Sequence, residues 1–306
     1  MKNIAWNIDK LDELISQLSS MKPCGKTGIQ SLDSMLGGGL YPEIYVLAAE
    51  PGAGKTTLAL QIADRIAEFG SRKALFVSLE MSASQMLAKS LSRISALSPS
   101  LPPLTVRQLR NVQHLDSDGK QAMMEALIAY REQIAPNVAT IDERVTVAGL
   151  RELYENLPGD ELPPLLVVDY LQLLPPSDGD PSATDYQTHT ANMRGLCELA
   201  KTHKTPVLVI SSKNRANRNG RQLASLSGSS EIEYSASCVL FLDVDGDTED
   251  ERAEEAAKSK RLVTLSVRKN RFGSCGEVPL VFLANESRFI ERANTYISNG
   301  QEARAI

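Results

Sequence analysis

Apolar residues recur on two different periods along this chain, and the alternation between them outlines a fold. EIYVLAA (43–49), KALFVSLEM (73–81), PPLLVVDYLQLL (163–174) and TPVLVISS (205–212) are short continuous apolar runs. Runs of this length read as strands buried on both faces. The longest, 163–174, is expected at the centre of a parallel sheet. NVATIDE (137–143) adds a shorter strand. Between these runs the period changes. TTLALQIADRIAEFG (56–70) places Leu58, Ile62 and Ile66 on one face, and Gly70 suits a helix end. Helices are likewise expected over 83–96, near 105–112 and 119–134, over 146–157 and over 184–203, while LSPSLPPL (97–104) is a proline-broken loop. Three more strands, 237–244, 261–269 and 277–284, then follow without comparable helices between them. Strands alternating with helices, then strands alone, predict one α/β domain over 26–292. Its central sheet is mostly parallel, with antiparallel strands at the C-terminal side.

Two segments fit neither period of the main domain. NIDKLDELISQLSS (7–20) puts Ile8, Leu11, Leu14, Ile15 and Leu18 on one helical face. An isolated helix cannot bury such a face alone, so it packs either on its own domain or on a neighbouring subunit. Residues 1–25 are therefore read as an arm, and 293–306 as a tail. DGDTEDERAEEAAKSKR (245–261) is dense in charge and poor in apolar residues. It is expected as a solvated loop, a short exposed helix or a disordered stretch.

Composition narrows the picture a little. With 306 residues, 42% hydrophobic and 23% charged, the chain is an ordinary globular one. Its formal charge of -5 means that any nucleic-acid surface must be local. Cys24, Cys197, Cys238 and Cys275 form no C-x-x-C pair, which fits a reducing cytoplasm better than a zinc site or a disulfide framework. His114, His189 and His203 lie apart from them and read as surface or packing residues. No apolar run reaches membrane-spanning length, and no membrane partner is expected.

The chemistry begins at AAEPGAGKTT (48–57). A phosphate loop follows G-x-x-x-x-G-K-[ST]; Gly54, Lys55 and Thr56 supply its end, while Ala49 stands in the first glycine's place. The strand before and the helix after are the context that the motif requires. Within the nucleotide-binding stretch Glu50, Pro51, Gly52, Ala53 and Gly54, the two glycines let backbone N–H groups curl around an anion, and Thr57 continues the first helical turn. Lys55 reaches the β- and γ-phosphates of ATP, and Thr56 offers a hydroxyl to Mg²⁺. Asp169 ends the apolar run LLVVD, the edge where ligands of open parallel sheets sit, and is suited to hold the metal through its water shell. Glu80 ends ALFVSLE at the same edge, placed either as a general base or as a surface carboxylate.

GIQSLDSMLGGGL, AAEPGAGKTT, FVSLEM, VVDYLQLL and VRKNRFGSCGEVPLVF, in this order, resemble the C-terminal motor domain of DnaB-type replicative helicases, a branch of the RecA-like P-loop ATPases. The resemblance spans about 25–292. That family also carries alanine at the place of Ala49. The resemblance implies an ATP- and Mg²⁺-dependent DNA helicase with Glu80 as the catalytic glutamate and Asp169 as the Walker B acid. Lys269 and Arg271 match a Lys-x-Arg pair that reaches the neighbouring subunit's nucleotide. Such fingers work in rings, usually hexamers, that track single-stranded DNA and meet a primase or a loader. The alternative function is a RecA-like remodelling ATPase that acts on a protein without unwinding.

Three departures stand out. Full-length family members carry an N-terminal collar, where this chain has only the arm, which resembles their linker helix. After VLVIS the family has Ser-Gln, whose glutamine senses the γ-phosphate; here Ser211 and Ser212 stand. In the DNA-gripping loop Ser227 replaces an arginine, leaving the backbone N–H groups of Ser227, Gly228 and Ser230 for phosphate. Lys213, Arg215, Arg218 and Arg221 crowd the preceding loop, placed to restore charge at a ring's pore or to line a solvated or subunit-interface loop.

Overall fold

The computed structural model describes residues 7–70, 72–159, 161–176, 184–212 and 234–292. The first half runs α1 (Leu11–Ser20), α2 (Gln30–Met35), β1 (Ile44–Ala49), α3 (Lys55–Glu68), β2 (Ala74–Ser78), α4 (Ala83–Ser95), α5 (Val106–Leu109), α6 (Ser117–Gln133) and β3 (Val138–Ile141). The second half runs α7 (Val147–Glu155), β4 (Leu165–Asp169), α8 (Asp185–His203), β5 (Val207–Ser212), β6 (Cys238–Val244), α9 (Glu249–Ala257), β7 (Lys260–Asn270), β8 (Gly276–Leu283) and β9 (Arg288–Glu291).

All six residues of β1 are buried, and alternate side chains serve opposite faces, as the two-residue period of a strand demands. Tyr45, Leu47 and Ala49 join the core under α3 with Leu58, Ile62 and Ile66. Ile44, Val46 and Ala48 join the core under α7 and α8 with Leu150, Tyr154, Met193, Leu196 and Leu199. Strand order is β3-β2-β4-β5-β1-β6-β7-β8-β9. Pairs from β3 through to β6 are parallel and those from β6 to β9 antiparallel. The mostly parallel sheet with its antiparallel C-terminal side is thus the RecA-like arrangement expected.

The structure corrects the expectations in two places and decides between the stated alternatives in a third. The run 163–174 is not one strand: β4 stops at Asp169, and a 3-10 turn spans Leu171–Leu173. Leu171 and Leu174 turn back into the core under α8, so their apolar character reflects burial beneath a helix, not a longer strand. Strand β9 was not anticipated; it pairs with β8 through four residues only. The 245–261 segment contains an exposed helix, α9, started by a capping box in which Thr248 and Glu251 satisfy each other's backbone N–H groups.

The arm forms a 3-10 turn over Asn7–Lys10 and then α1, and no residue of either is buried. Of the two placements open for its apolar face, packing on its own domain is not what the structure has: Ile8 is 77% and Leu18 70% exposed.

Candidate functional site

Four strand ends meet at one edge of the sheet. Register places Ala49 beside Ser212 and Leu242, and Asp169 beside Ser78. From Ala49 the chain turns through Glu50–Gly54 into α3. Gly52 and Gly54 adopt φ of 81° and 99°, a region closed to most side chains. At Gly54 space closes too: a Cβ would lie 2.8 Å from Phe289 Cζ and 3.0 Å from Phe282 Cε1. Those rings, from β9 and β8, stack with centroids 4.3 Å apart and form a floor under the loop. Arg261 Nη1 donates to Gly52 O at 2.9 Å and steadies its other side. Lys55 Nζ donates to the carbonyls of Ala49 (3.0 Å) and Glu50 (3.1 Å), both at the loop's start.

Asp169 is 1% exposed. Burial pushes its carboxyl up to about 6, and the Glu80 charge adds to this; the Thr56 hydroxyl, which donates to it, and the Lys55 and Lys89 ammonium groups oppose. Its Oδ2 has no hydrogen-bond partner among the described residues. A buried carboxylate oxygen beside a threonine hydroxyl is a donor set that a hard divalent cation accepts, directly or through water. These residues therefore fit Mg²⁺. Glu80 lies two residues beyond β2, exposed to solvent. The turn carrying it is shaped by Ser78 Oγ donating to Met81 O (2.6 Å) and by Ala83 N donating to Asp142 Oδ2 (2.7 Å).

Lys269 and Arg271 do not join this group. Val239, near the start of β6, pairs with Lys269, whereas Leu242 pairs with Ala49 at the other end. Three residues of strand, about 10 Å, separate those levels. Lys269 Nζ (3.4 Å) and Arg271 Nη2 (2.5 Å) instead donate to the carbonyl of Tyr234. The expected DNA contacts Lys213, Arg215, Arg218, Arg221, Ser227, Gly228 and Ser230 lie outside the described residues.

Several contributors escaped sequence reasoning. Phe282 read as an ordinary strand residue and Phe289 fell in no expected element, because their closeness to Gly54 arises only when the antiparallel strands fold back. Gln172 ties two strand ends together, its Nε2 donating to Ser211 Oγ at 2.9 Å. Lys89 of α4 donates to Thr57 Oγ1 at 2.9 Å, a contact that no motif announces. Beside the phosphate loop lies a cavity of about 530 Å³ whose walls include Glu50, Gly52, Asp243, Arg252 and Arg261. Its far wall is the charge-dense helix α9, to which the sequence assigned no role.

Known proteins resemble this chain in sequence and in fold. The sequence model of the DnaB-like helicase C terminal domain matches residues 25–291. "Replicative DNA helicase DnaB" of Buchnera aphidicola subsp. Baizongia pistaciae is 29% identical over 271 residues, which are 86% of this chain and 54% of that protein. The chain thus spans about half the length of such a relative. One solved ATPase domain superposes with a TM-score of 0.76 at 20% identity, over 94% of this chain and 99% of that one. A DnaB-like replicative helicase, solved in a study of its interactions with primase, superposes at 0.74 and 20% identity, over 94% of this chain and 67% of that one. Among the described residues no helix is long and apolar enough to cross a membrane. With the family's model matched from the glycine-rich lead-in to the last strand, and its fold reproduced around the phosphate loop, the chain belongs to the DnaB-like helicase C terminal domain family.

Proposed function

We propose that this chain is an Mg²⁺-dependent ATPase that assembles head-to-tail into a ring, a hexamer by family resemblance, and moves along single-stranded DNA to unwind duplex. The observation that carries the reading is Asp169, whose unpartnered buried oxygen stands beside Thr56 at the end of a phosphate loop. Lys55 exchanges its two carbonyl partners for the β- and γ-phosphates, and the N–H groups of Gly52–Thr57 receive the remaining oxygens. Thr56 and Asp169 hold Mg²⁺, which neutralises charge between the β- and γ-phosphates when bound. Glu80 orients the attacking water and takes its proton. The cavity walled by α9 receives the nucleoside end.

Lys269 and Arg271 stand at the other end of the strands from their own phosphate loop, so they complete the site of the next subunit, where a cation stabilises the charge of the transferring phosphoryl group. The unburied face of α1 docks on a neighbouring copy and holds the ring together. Residues of the segment between β5 and β6 carry the DNA contacts, and a primase or a loader is the protein partner that family membership points to.

ATP turnover measured with and without single-stranded DNA, across salt and with Glu80→Gln as the blank, tests this reading. Stimulation by DNA that fades with rising salt supports a motor on a phosphate backbone. A ring whose turnover ignores DNA would replace it with an ATPase that remodels a protein.

A further inference from the structure

We infer that Lys89 is a positioning residue of the nucleotide site. It fixes the Thr57 hydroxyl as a hydrogen-bond donor to the bound phosphates and locks α4, the helix behind Glu80, onto the first turn of α3. The inference rests on the reading of that turn as an ATP site.

The argument starts from hydrogen-bond chemistry. An ammonium group has three donors and no acceptor. In the 2.9 Å contact between Lys89 Nζ and Thr57 Oγ1, therefore, threonine accepts. Its own proton must go elsewhere. Thr57 is the third residue of α3 and 2% exposed, so it borders the N–H groups that open the helix. Those groups and Lys55 converge on an anion. A phosphate oxygen there is the acceptor suited to the remaining hydroxyl hydrogen.

The contact also persists against opposing forces. Lys89 stands where its neighbours Ala88 and Ser90 are buried, and burial lowers its affinity for a proton. Arg93, one turn further along, repels it; only Asp169 pulls the other way. A methionine would fill this space with no charge to desolvate. What the lysine supplies, and methionine does not, is a directed donor to Thr57 and a second positive charge near Asp169.

The same contact sets the register between two helices. Beside it, Ser90 Oγ donates to Asp64 Oδ2 at 2.5 Å, and one turn along Arg93 pairs with the same carboxylate. Lys89–Thr57 and this Asp64 cluster are two pins between α3 and α4, and Lys89 is the pin at the nucleotide end. At its start α4 is capped by Ser82, two residues after Glu80. The placement of Glu80 relative to Asp169 thus depends on how α4 sits.

The test is binding of a fluorescent ATP analogue with Mg²⁺, followed by turnover, in Lys89→Met, Lys89→Arg, Thr57→Val and the double variant Lys89→Met/Thr57→Val. Each single loss is expected to weaken analogue binding about tenfold, as removal of a charged hydrogen bond does. The double variant should bind no worse than either single one, because both remove one unit. Lys89→Arg should restore most of the affinity, and Lys89→Met should lower kcat beyond its effect on binding. Losses that multiply to about a hundredfold would overturn the inference. So would wild-type binding by Thr57→Val, which decides alone if Lys89→Met does not fold. Lys55→Ala separates this inference from the site itself. If that variant still binds the analogue, the site reading fails and takes the inference with it. If it loses binding while Lys89→Met keeps it, only the inference fails.

Discussion

At Asp169 the needs of the site oppose the needs of the fold. The carboxyl titrates near 3.8 when unfolded and at about 6 when folded. The folded chain therefore binds this proton more tightly. Stability contributed by the group is fully present below about pH 4 and is lost as pH rises through 6. The difference between those two values corresponds to about 3 kcal/mol once the residue is charged. Asp169→Asn removes the buried charge while an amide oxygen can still accept from Thr56. In the absence of nucleotide, the variant should be more stable than the parent by about 3 kcal/mol at pH 8 in urea unfolding, with the gain largely gone near pH 4. It should also lose ATP turnover. An unchanged unfolding midpoint at pH 8 would show that the buried charge is neutralised by something other than its visible neighbours. Glu80 belongs to the other side of this contrast: it is exposed, so Glu80→Gln should leave stability within about 0.5 kcal/mol of the parent and slow turnover by about 10²–10⁴ with nucleotide binding kept. Equilibrium unfolding and single-turnover hydrolysis on the same sample check both halves.

Among the elements, what could be read from sequence was what is local. The apolar run of β1, the four-residue spacing along α3 and the Gly54–Lys55–Thr56 signature each occupy a few consecutive positions, and each stands where the pattern puts it. The run 163–174 misled because burial under α8 and burial within a sheet leave the same apolar trace. Phe289 and Lys89 were not legible at all, because their partners lie 235 and 32 positions away, at Gly54 and Thr57, and only the fold brings them together. The glycine at 54 is thus half a motif residue and half a packing residue. Phe289→Ala removes the ring beneath it and leaves a hole beside Phe282, which should cost about 3 kcal/mol in unfolding. It should also weaken nucleotide binding more than Phe76→Ala, an equally buried change elsewhere in the core. Equal binding in both variants would mean that the stacked rings stabilise the sheet without shaping the loop. Helix α1 makes the converse case. Its apolar face is legible and unburied. Leu14→Ser/Leu18→Ser should leave the unfolding of the single chain unchanged and shift sedimentation toward smaller species. Loss of folding instead would place the arm's contacts within its own domain.

On the scale of the molecule, the two proposed halves of the active site sit at opposite ends of the strands. The phosphate loop, Asp169 and Glu80 gather where the parallel strands end, and Lys269 and Arg271 hang from the end of β7, at the level where β6 begins. One copy cannot bring them together without breaking the register of its sheet. A head-to-tail neighbour can, because such contacts present one subunit's tail end to the next subunit's head. This separation yields a test that needs no structure of the ring. Glu80→Gln chains lack the base but offer fingers, and Arg271→Ala chains have the base but no full finger. Each should be nearly inactive alone. Mixed in equal amounts and allowed to exchange, random head-to-tail pairing makes about one boundary in four complete, so activity should rise to at most about a quarter of the parent's. If Arg271 acts within its own chain, every subunit in the mixture remains defective and activity stays at the sum of the two parts. Rescue should also disappear on dilution, since a site shared between chains exists only while they are assembled.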